Sequence, residues 1–327
     1  MPARATSPAE RVAAAFAPGH VTGLFSPDLR ARDPRGRGSV GAGLVLELGV
    51  HATVRWRPVG RRPSVRVRAD TRRPLPISAD VARRLLGDRP GELEVTLRHE
   101  LPIGQGFGMS ASGALATGLA VAAALGSDRQ HAIETAHLAE LFGGGGLGGV
   151  AAILGGGMEL RDRPGVPPYG HVRHAAFRPS ILLAIVGPPL PSPPLLRSEE
   201  FLDRVRAAAG AGLPRIRLHP DGRTLMAEAE GFTDALGLAS PSVRRRVAEI
   251  RATGASAAQL MFGNGVVAIA HSEPERRAVL RLLEREGARS VELNATVRGA
   301  HLVPGSAGSR RAPGSAPGAN SSRSSVM

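Results

Sequence analysis

The sequence predicts an α+β chain of two parts, and three features carry that prediction. Strand-like alternation of apolar and polar residues fills much of the first hundred positions, and a glycine-rich loop then runs straight into two helices. A turn-rich stretch, Pro164 to Gly170, separates this half from a second one. The second half closes in strand–strand–helix–strand order, which suits an antiparallel sheet with helices on one face. A chain of 327 residues is long enough for two modest domains with a core each.

Residues 1–11 read as a flexible lead-in, and the small apolar run Val12 to Ala17 ends at Pro18-Gly19. Phe25 to Gly43, rich in Pro, Gly, Asp and Arg, reads as a long loop of the kind that is often functional. Leu44 to Arg57 and Ser64 to Arg68 alternate as strands, the second with its arginines on the outer face of a solvated hairpin. Glu94 to Arg98 is a third strand, with Val95 and Leu97 facing one way. Helices are expected from about Ala114 to Leu125 and, capped by Ser127 or Asp128, through Leu141. The glycine run Gly143 to Gly149 stops the second helix, and a short apolar helix and the strand Met158 to Arg161 complete the half. Beyond the boundary come the strand Ile181 to Val186 and helices near Glu199 to Ala209, Arg223 to Leu236 and Pro241 to Thr253. The strands Ala257 to Phe262 and Val266 to Ala270, the helix Pro274 to Glu286 and the strand Ser290 to Val297 follow. From Pro304 to residue 327 the chain is Ser, Gly, Ala, Pro and Arg without an apolar period, and is expected to be disordered.

Composition removes whole classes of chemistry. With no cysteine there is no disulfide framework, thiolate zinc site, iron–sulfur cluster or cysteine nucleophile. All 42 basic residues are arginine, so lysine Schiff bases and the Walker and protein-kinase lysines are absent too. A net charge of +14 raises nucleic acid as a partner, but one Trp, one Tyr and eight Phe supply few stacking platforms. Arg310, Arg311 and Arg323 lie in the tail, and Arg55 to Arg73 hold eight arginines against the single acid Asp70; elsewhere the charges are mixed. No nucleic acid is expected. No run reaches the roughly 18 apolar residues of a membrane span, and the N-terminus lacks a signal-peptide core, so a cytoplasmic protein without membrane attachment is expected.

The chemistry concentrates in Leu101-Pro-Ile-Gly-Gln-Gly-Phe-Gly-Met-Ser-Ala-Ser-Gly113. A strand, a loop with Gly104, Gly106 and Gly108, and a helix form the layout in which backbone N–H groups bind phosphate without a cationic side chain. Ser110 at the helix start can cap the helix, bind a phosphate oxygen or ligate Mg²⁺. Glycine loops alone are weak signals, and this one lacks both the dinucleotide-fold acid and the Walker ending.

Taken with two further motifs, the loop resembles a known family. Pro102-Ile-Gly-Gln-Gly-Phe-Gly-Met-Ser110 is similar to the second motif of the GHMP kinases, the superfamily of galactokinase, homoserine kinase, mevalonate kinase and phosphomevalonate kinase. Ala17-Pro-Gly-His-Val-Thr-Gly-Leu-Phe25 and Gly254-Ala-Ser-Ala-Ala-Gln-Leu-Met-Phe-Gly263 resemble its first and third. Pro-Gly-His-Val-Thr, Gly38-Ser-Val-Gly-Ala-Gly43, Ala136-His-Leu-Ala-Glu140, Gly146-Leu-Gly, and Gly156-Gly with Arg161 and Pro164-Gly-Val-Pro-Pro168 resemble the archaeal pantoate kinases. The likeness runs from about Val12 to Val303.

That resemblance implies a two-domain GHMP kinase fold, with a phosphate-loop domain over residues 12–165 and a ferredoxin-like domain over 166–303. It implies transfer of the ATP γ-phosphoryl group to the 4-hydroxyl of (R)-pantoate in coenzyme A synthesis, with ATP and Mg²⁺ as cofactors and a homodimer as the assembly. Pro102, Gly104, Gly106, Phe107, Gly108, Met109, Ser110 and Ala111 would hold ATP. Ser110 and Glu140 would be catalytic and bind Mg²⁺; read without the family, Glu140 is an ordinary surface acid. Arg161 would grip the pantoate carboxylate, for which a planar fork is suited, and His20, Thr22 and Ser39 are further substrate contacts. His137 stands either behind Glu140 or simply packed. One position departs from the family: where its turn reads Gly-Leu-Gly-Asp-Val, with the Asp as expected base, this chain reads Gly146-Leu-Gly-Gly-Val150. General-base catalysis is typically worth about 10² to 10⁴ in rate. A base-free kinase, a substitute acid such as Asp162 or Asp33, and a relative that binds without turnover all remain open, as do homoserine and mevalonate as acceptors.

Overall fold

The structure is a computed structural model, described over residues 10–60, 62–177, 179–190, 193–285, 289–296, 298–305 and 308–310. Most of the expected lead-in, and Arg311, Arg323 and the rest of the tail beyond residue 310, lie outside the described residues.

Two long strands organise the first sheet. β1 (Glu10–Asp28) and β2 (Gly38–Arg57) pair antiparallel from Arg11↔Trp56 to Asp28↔Gly38. The alternation Ala13, Ala15, Ala17 is buried, and these small side chains let the Ala- and Gly-rich helix that follows the phosphate loop pack closely against the strand. Pro18-Gly19 therefore does not end the strand, as the sequence suggested. A bulge between Pro18 and His20 absorbs the proline and sends the His20 N–H to the Phe107 carbonyl at 3.0 Å. The loop expected over Phe25 to Gly43 shrinks to 29–37, with a 3-10 turn at Pro34–Gly36 whose N-cap, Asp33, accepts from the Arg35 N–H. Glycine misled the reading because in β2 it makes room. A Cβ at Gly43 would lie 2.5 Å from His20 Nε2, and one at Gly41 2.5 Å from Arg161 Nη2.

β3 (Pro63–Ala69) pairs parallel, not as a hairpin, with β4 (Gly91–His99). The crossover is α1 (Pro76–Leu86), a helix the sequence reading did not anticipate; Pro76 starts it and Val81, Ala82, Leu85 and Leu86 are buried. Arg66 and Arg68 are exposed, as expected for a solvated face. α2 (Met109–Leu125) is buried all round apart from Ser110, which is exposed, and Ala123, which is half-buried. α3 (Arg129–Gly143) is capped by Asp128, which accepts from the His131 N–H at 2.8 Å. The short α4 (Gly149–Ala152) leads to β5 (Met158–Arg163), paired with the Gly41–Leu44 stretch of β2. β6 (His171–Ala175) pairs back on β5, so Pro164 to Gly170 connects two strands of the first sheet.

The chain then forms β7 (Ser180–Ile185), α5 (Pro193–Leu196), α6 (Glu199–Ala209), α7 (Gly212–Leu218), α8 (Gly222–Leu236) and α9 (Pro241–Arg251). β8 (Ser256–Gln259), β9 (Gly265–Ile269), α10 (Glu273–Arg285) and β10 (Arg289–Asn294) follow. The second sheet is antiparallel in the order β10-β7-β9-β8. Leu182, Ala184, Val266 and Ala268 pack on α9 and α10, while Ile181, Leu183, Val267 and Ile269 join the larger core. Helices on one face was thus only half of the arrangement. Phe25 of β1 meets Phe232 of α8 edge-on at 5.8 Å and Phe262 at 6.0 Å, tying the two halves across their junction. β11 (His301–Leu302) and β12 (Gly308–Arg310) return to pair with β1, so order extends into the segment expected to begin the disordered tail. No described helix is long and apolar enough to cross a membrane.

Candidate active site

The glycine loop lies where the two halves meet, and its conformation needs its sequence. Gly104, Gly106 and Gly108 have φ of +82°, +85° and +67°, a region costly for residues with a Cβ. The loop is held from the other half: Gln105 Nε2 donates to the Gly187 carbonyl at 2.9 Å, and a Cβ at Gly263 would press on the Gln105 carbonyl. The third sequence motif thus supports the loop from below. Gly108, left-handed, is the N-cap of α2 and makes no side-chain cap bond, so the first N–H groups of a buried 17-residue helix stay open as anion donors.

The loop forms one wall of a cleft of about 340 Å³. His20, Thr22, Ser39, Gly104, Gly106, Phe107, Gly108, Met109, Ser110, Ala111, Glu140 and Arg161 all line it, together with Gly143 to Gly149. Pro102 does not: it borders a neighbouring cleft with Asp70, Arg73 and Pro189, because it precedes the turn that carries the loop inward.

Ser110 does not cap its helix. Its hydroxyl donates to Glu140 Oε1 across the α2–α3 contact. Glu140 is 3% exposed, far from the surface acid its residue type suggests. Burial pushes its carboxyl up to about 7, opposed only by the Ser110 hydrogen bond. A carboxylate beside a hydroxyl at a helix N-terminus fits Mg²⁺, which takes one or two protein carboxylates and completes its shell with water and phosphate oxygens. No cluster of three or more His, Asp or Glu that could hold a metal occurs among the described residues, which that sparse ligand set does not require. His137 is not behind Glu140; its Nε2 pairs with the Arg37 carbonyl at 3.0 Å, and burial lowers its pKa.

A second polar group reaches the same cleft through His20 and Arg161. His20 Nε2 is 2.9 Å from Glu159 Oε1, and Arg161 Nη1 donates to the same oxygen. Burial alone would raise the Glu159 carboxyl, but the Arg161 charge and the His20 hydrogen bond hold it below its ordinary value. Burial also lowers His20, so the ring is neutral and donates through Nε2. Among the described residues Arg161 Nε has no hydrogen-bond partner. A Cβ at Gly148 would lie 2.8 Å from that Nε and 2.5 Å from Ser39 Oγ, so the bare loop brings a donor edge and a hydroxyl to one spot. Such a spot suits a small carboxylate. Glu159 was missed by sequence reasoning. Its signal was an acid two residues before Arg161, on the same face of the strand, where a buried pair would satisfy both.

The position of the expected base holds no carboxylate, and none can simply be added. A Cβ on Gly149 would come 2.7 Å from the Ala111 Cβ at the start of α2. The two substitute acids lie elsewhere. Asp162 is paired with Arg173 and Asp33 with Arg35, and neither lines the cleft.

A model of the GHMP kinases N terminal domain matches residues 77–157. The pantoate kinase of Thermococcus kodakarensis is 31% identical over 275 residues, which covers 81% of this chain and 89% of that protein. The pantoate kinase of Methanospirillum hungatei is 29% identical over 262 residues, 78% and 86% of the two chains. A solved structure described as a phosphotransferase related to the CoA biosynthesis pathway superposes with a TM-score of 0.80 at 27% identity, over 89% of this chain and 98% of that one.

Proposed function

The chain belongs to the pantoate kinases within the GHMP kinase superfamily, and from that premise we propose that it transfers the γ-phosphoryl group of ATP to the 4-hydroxyl of (R)-pantoate. The observation that carries the reading is one cleft lined by an open helix N-terminus, a Ser110–Glu140 pair, and Arg161 with Ser39 and His20. The loop and α2 receive the phosphates. Ser110 and Glu140 would hold Mg²⁺, which when bound neutralises charge between phosphate oxygens. Arg161 and Ser39 take the acceptor carboxylate, and Glu159 fixes the Arg161 fork before substrate arrives. The 4-hydroxyl oxygen bonds to phosphorus, the bond to the ADP oxygen breaks, and with glycine at 149 the hydroxyl proton leaves on the transferred phosphate. A loose transition state tolerates this, because positioning and charge neutralisation do most of the work.

The homodimer and the cytoplasmic setting belong to the same proposal, as does a two-part division, which falls after β6 and not near residue 165 because β5 and β6 share the first sheet; sedimentation velocity checks the dimer. The catalytic reading is tested by ADP release with ATP, Mg²⁺ and pantoate, homoserine or mevalonate. Pantoate alone should support turnover. Tight pantoate and nucleotide binding without turnover would instead favour a non-catalytic relative.

A further inference from the structure

Asp70 is the single acid among the arginines from 55 to 73, yet its carboxylate is given to a histidine. Oδ2 accepts from the His99 backbone N–H at 2.8 Å and Oδ1 pairs with His99 Nδ1 at 2.9 Å. The two residues sit at the ends of the parallel strands β3 and β4, so the pairing is a fixed feature of the sheet edge. A carboxylate only accepts, so Nδ1 carries the hydrogen, and a neutral ring then presents Nε2 as an acceptor. The side chain is 6% exposed, and among the described residues Nε2 has no hydrogen-bond partner.

His99 stands in the wall of the cleft with Pro74, Leu75, Pro76 and Ile103. The phosphate loop begins just after this wall and ends at Ser110, beside Glu140. A triphosphate laid on the loop with its transferable end at Ser110 therefore sends its nucleoside towards His99. That end offers an apolar slot with a single unsatisfied acceptor.

We propose that His99, oriented by Asp70, selects the nucleobase of the phosphoryl donor, its Nε2 accepting from the exocyclic amino group of adenine. Hypoxanthine and guanine carry a carbonyl at that position and would set lone pair against lone pair. The inference rests on reading the cleft as an ATP site and adds the residue that reads its base.

The test is kcat and KM for ATP, ITP and GTP, with pantoate and Mg²⁺, on the wild type, His99→Ala, His99→Gln and Asp70→Asn. The wild type should prefer ATP over ITP by about tenfold or more, the usual scale for one mismatched buried hydrogen bond. His99→Ala should bring the two within about threefold through a raised KM for ATP, with kcat within about twofold. His99→Gln, whose amide donates or accepts, should keep ATP and gain ITP, and its retained kcat shows that the fold survives. Asp70→Asn, which frees the tautomer, should shift the same way by less. An ATP preference unchanged in both His99 variants, or a change confined to kcat, overturns the proposal. Wild-type protein that uses ATP and ITP alike sinks base selection and leaves the kinase reading intact, whereas turnover with no nucleotide sinks both.

Discussion

Two buried glutamates serve the site, Glu140 in the cleft wall and Glu159 behind His20 and Arg161, and their surroundings give them opposite electrostatics. Glu140 is 3% exposed and Glu159 fully buried, so dehydration acts on both. Glu159 has Arg161 and His20 and stays below the ordinary carboxylate value, while Glu140 has only the Ser110 hydroxyl and is pushed up to about 7. One is a finished ion pair that positions its partners. The other has no cationic partner among the described residues, and the Mg²⁺ proposed to bind it would supply one.

The strongest way to break the comparison is Glu140→Gln, which keeps the Ser110 contact but not the charge. Turnover should fall by about 10² to 10³, the scale of losing one key electrostatic group, with apo stability maintained or raised, read by steady-state assay and thermal melt. Glu159→Ala should do the reverse in kind. It strands the buried Arg161 and should cost about 3 to 5 kcal/mol of stability, measured by denaturant unfolding, with Glu159→Gln costing less.

The pH dependence separates the two residues by sign. In chelator-treated protein the folded state keeps the Glu140 proton between the ordinary value of 4.5 and about 7, whereas the unfolded state has lost it. Stability should therefore fall as pH rises through that window, by about 3 kcal/mol, and Glu140→Gln should remove the slope. Glu159 acts oppositely: its contribution is present above 4.5 and is lost as pH falls through its depressed folded value. The smallest effect concerns Gly149. Gly149→Asp alone should cost about 1 to 3 kcal/mol by overpacking against Ala111, and pairing it with Ala111→Gly should recover most of that loss, as differential melts would report.

Much of this was legible in the sequence. The phosphate loop, α2, α3 and the candidates His20, Thr22, Ser39, Ser110, Glu140 and Arg161 converge on one cleft. What escaped had physical causes. The glycines of β2 read as a loop because the side chains that fill the space they vacate, His20 and Arg161, come from other strands. Asp70–His99 and Glu159–His20 are contacts between distant segments, for which no local pattern exists. α1 was hidden because its apolar face is short and begins after a Pro-rich turn.

The central claim is that Glu140 completes a working kinase site although position 149 has no carboxylate. Its most direct test is ADP release by the wild type and Glu140→Gln with ATP, Mg²⁺ and pantoate. The account predicts pantoate-dependent turnover in the wild type and its loss in the variant. A silent wild type, or turnover undiminished in Glu140→Gln, would contradict it.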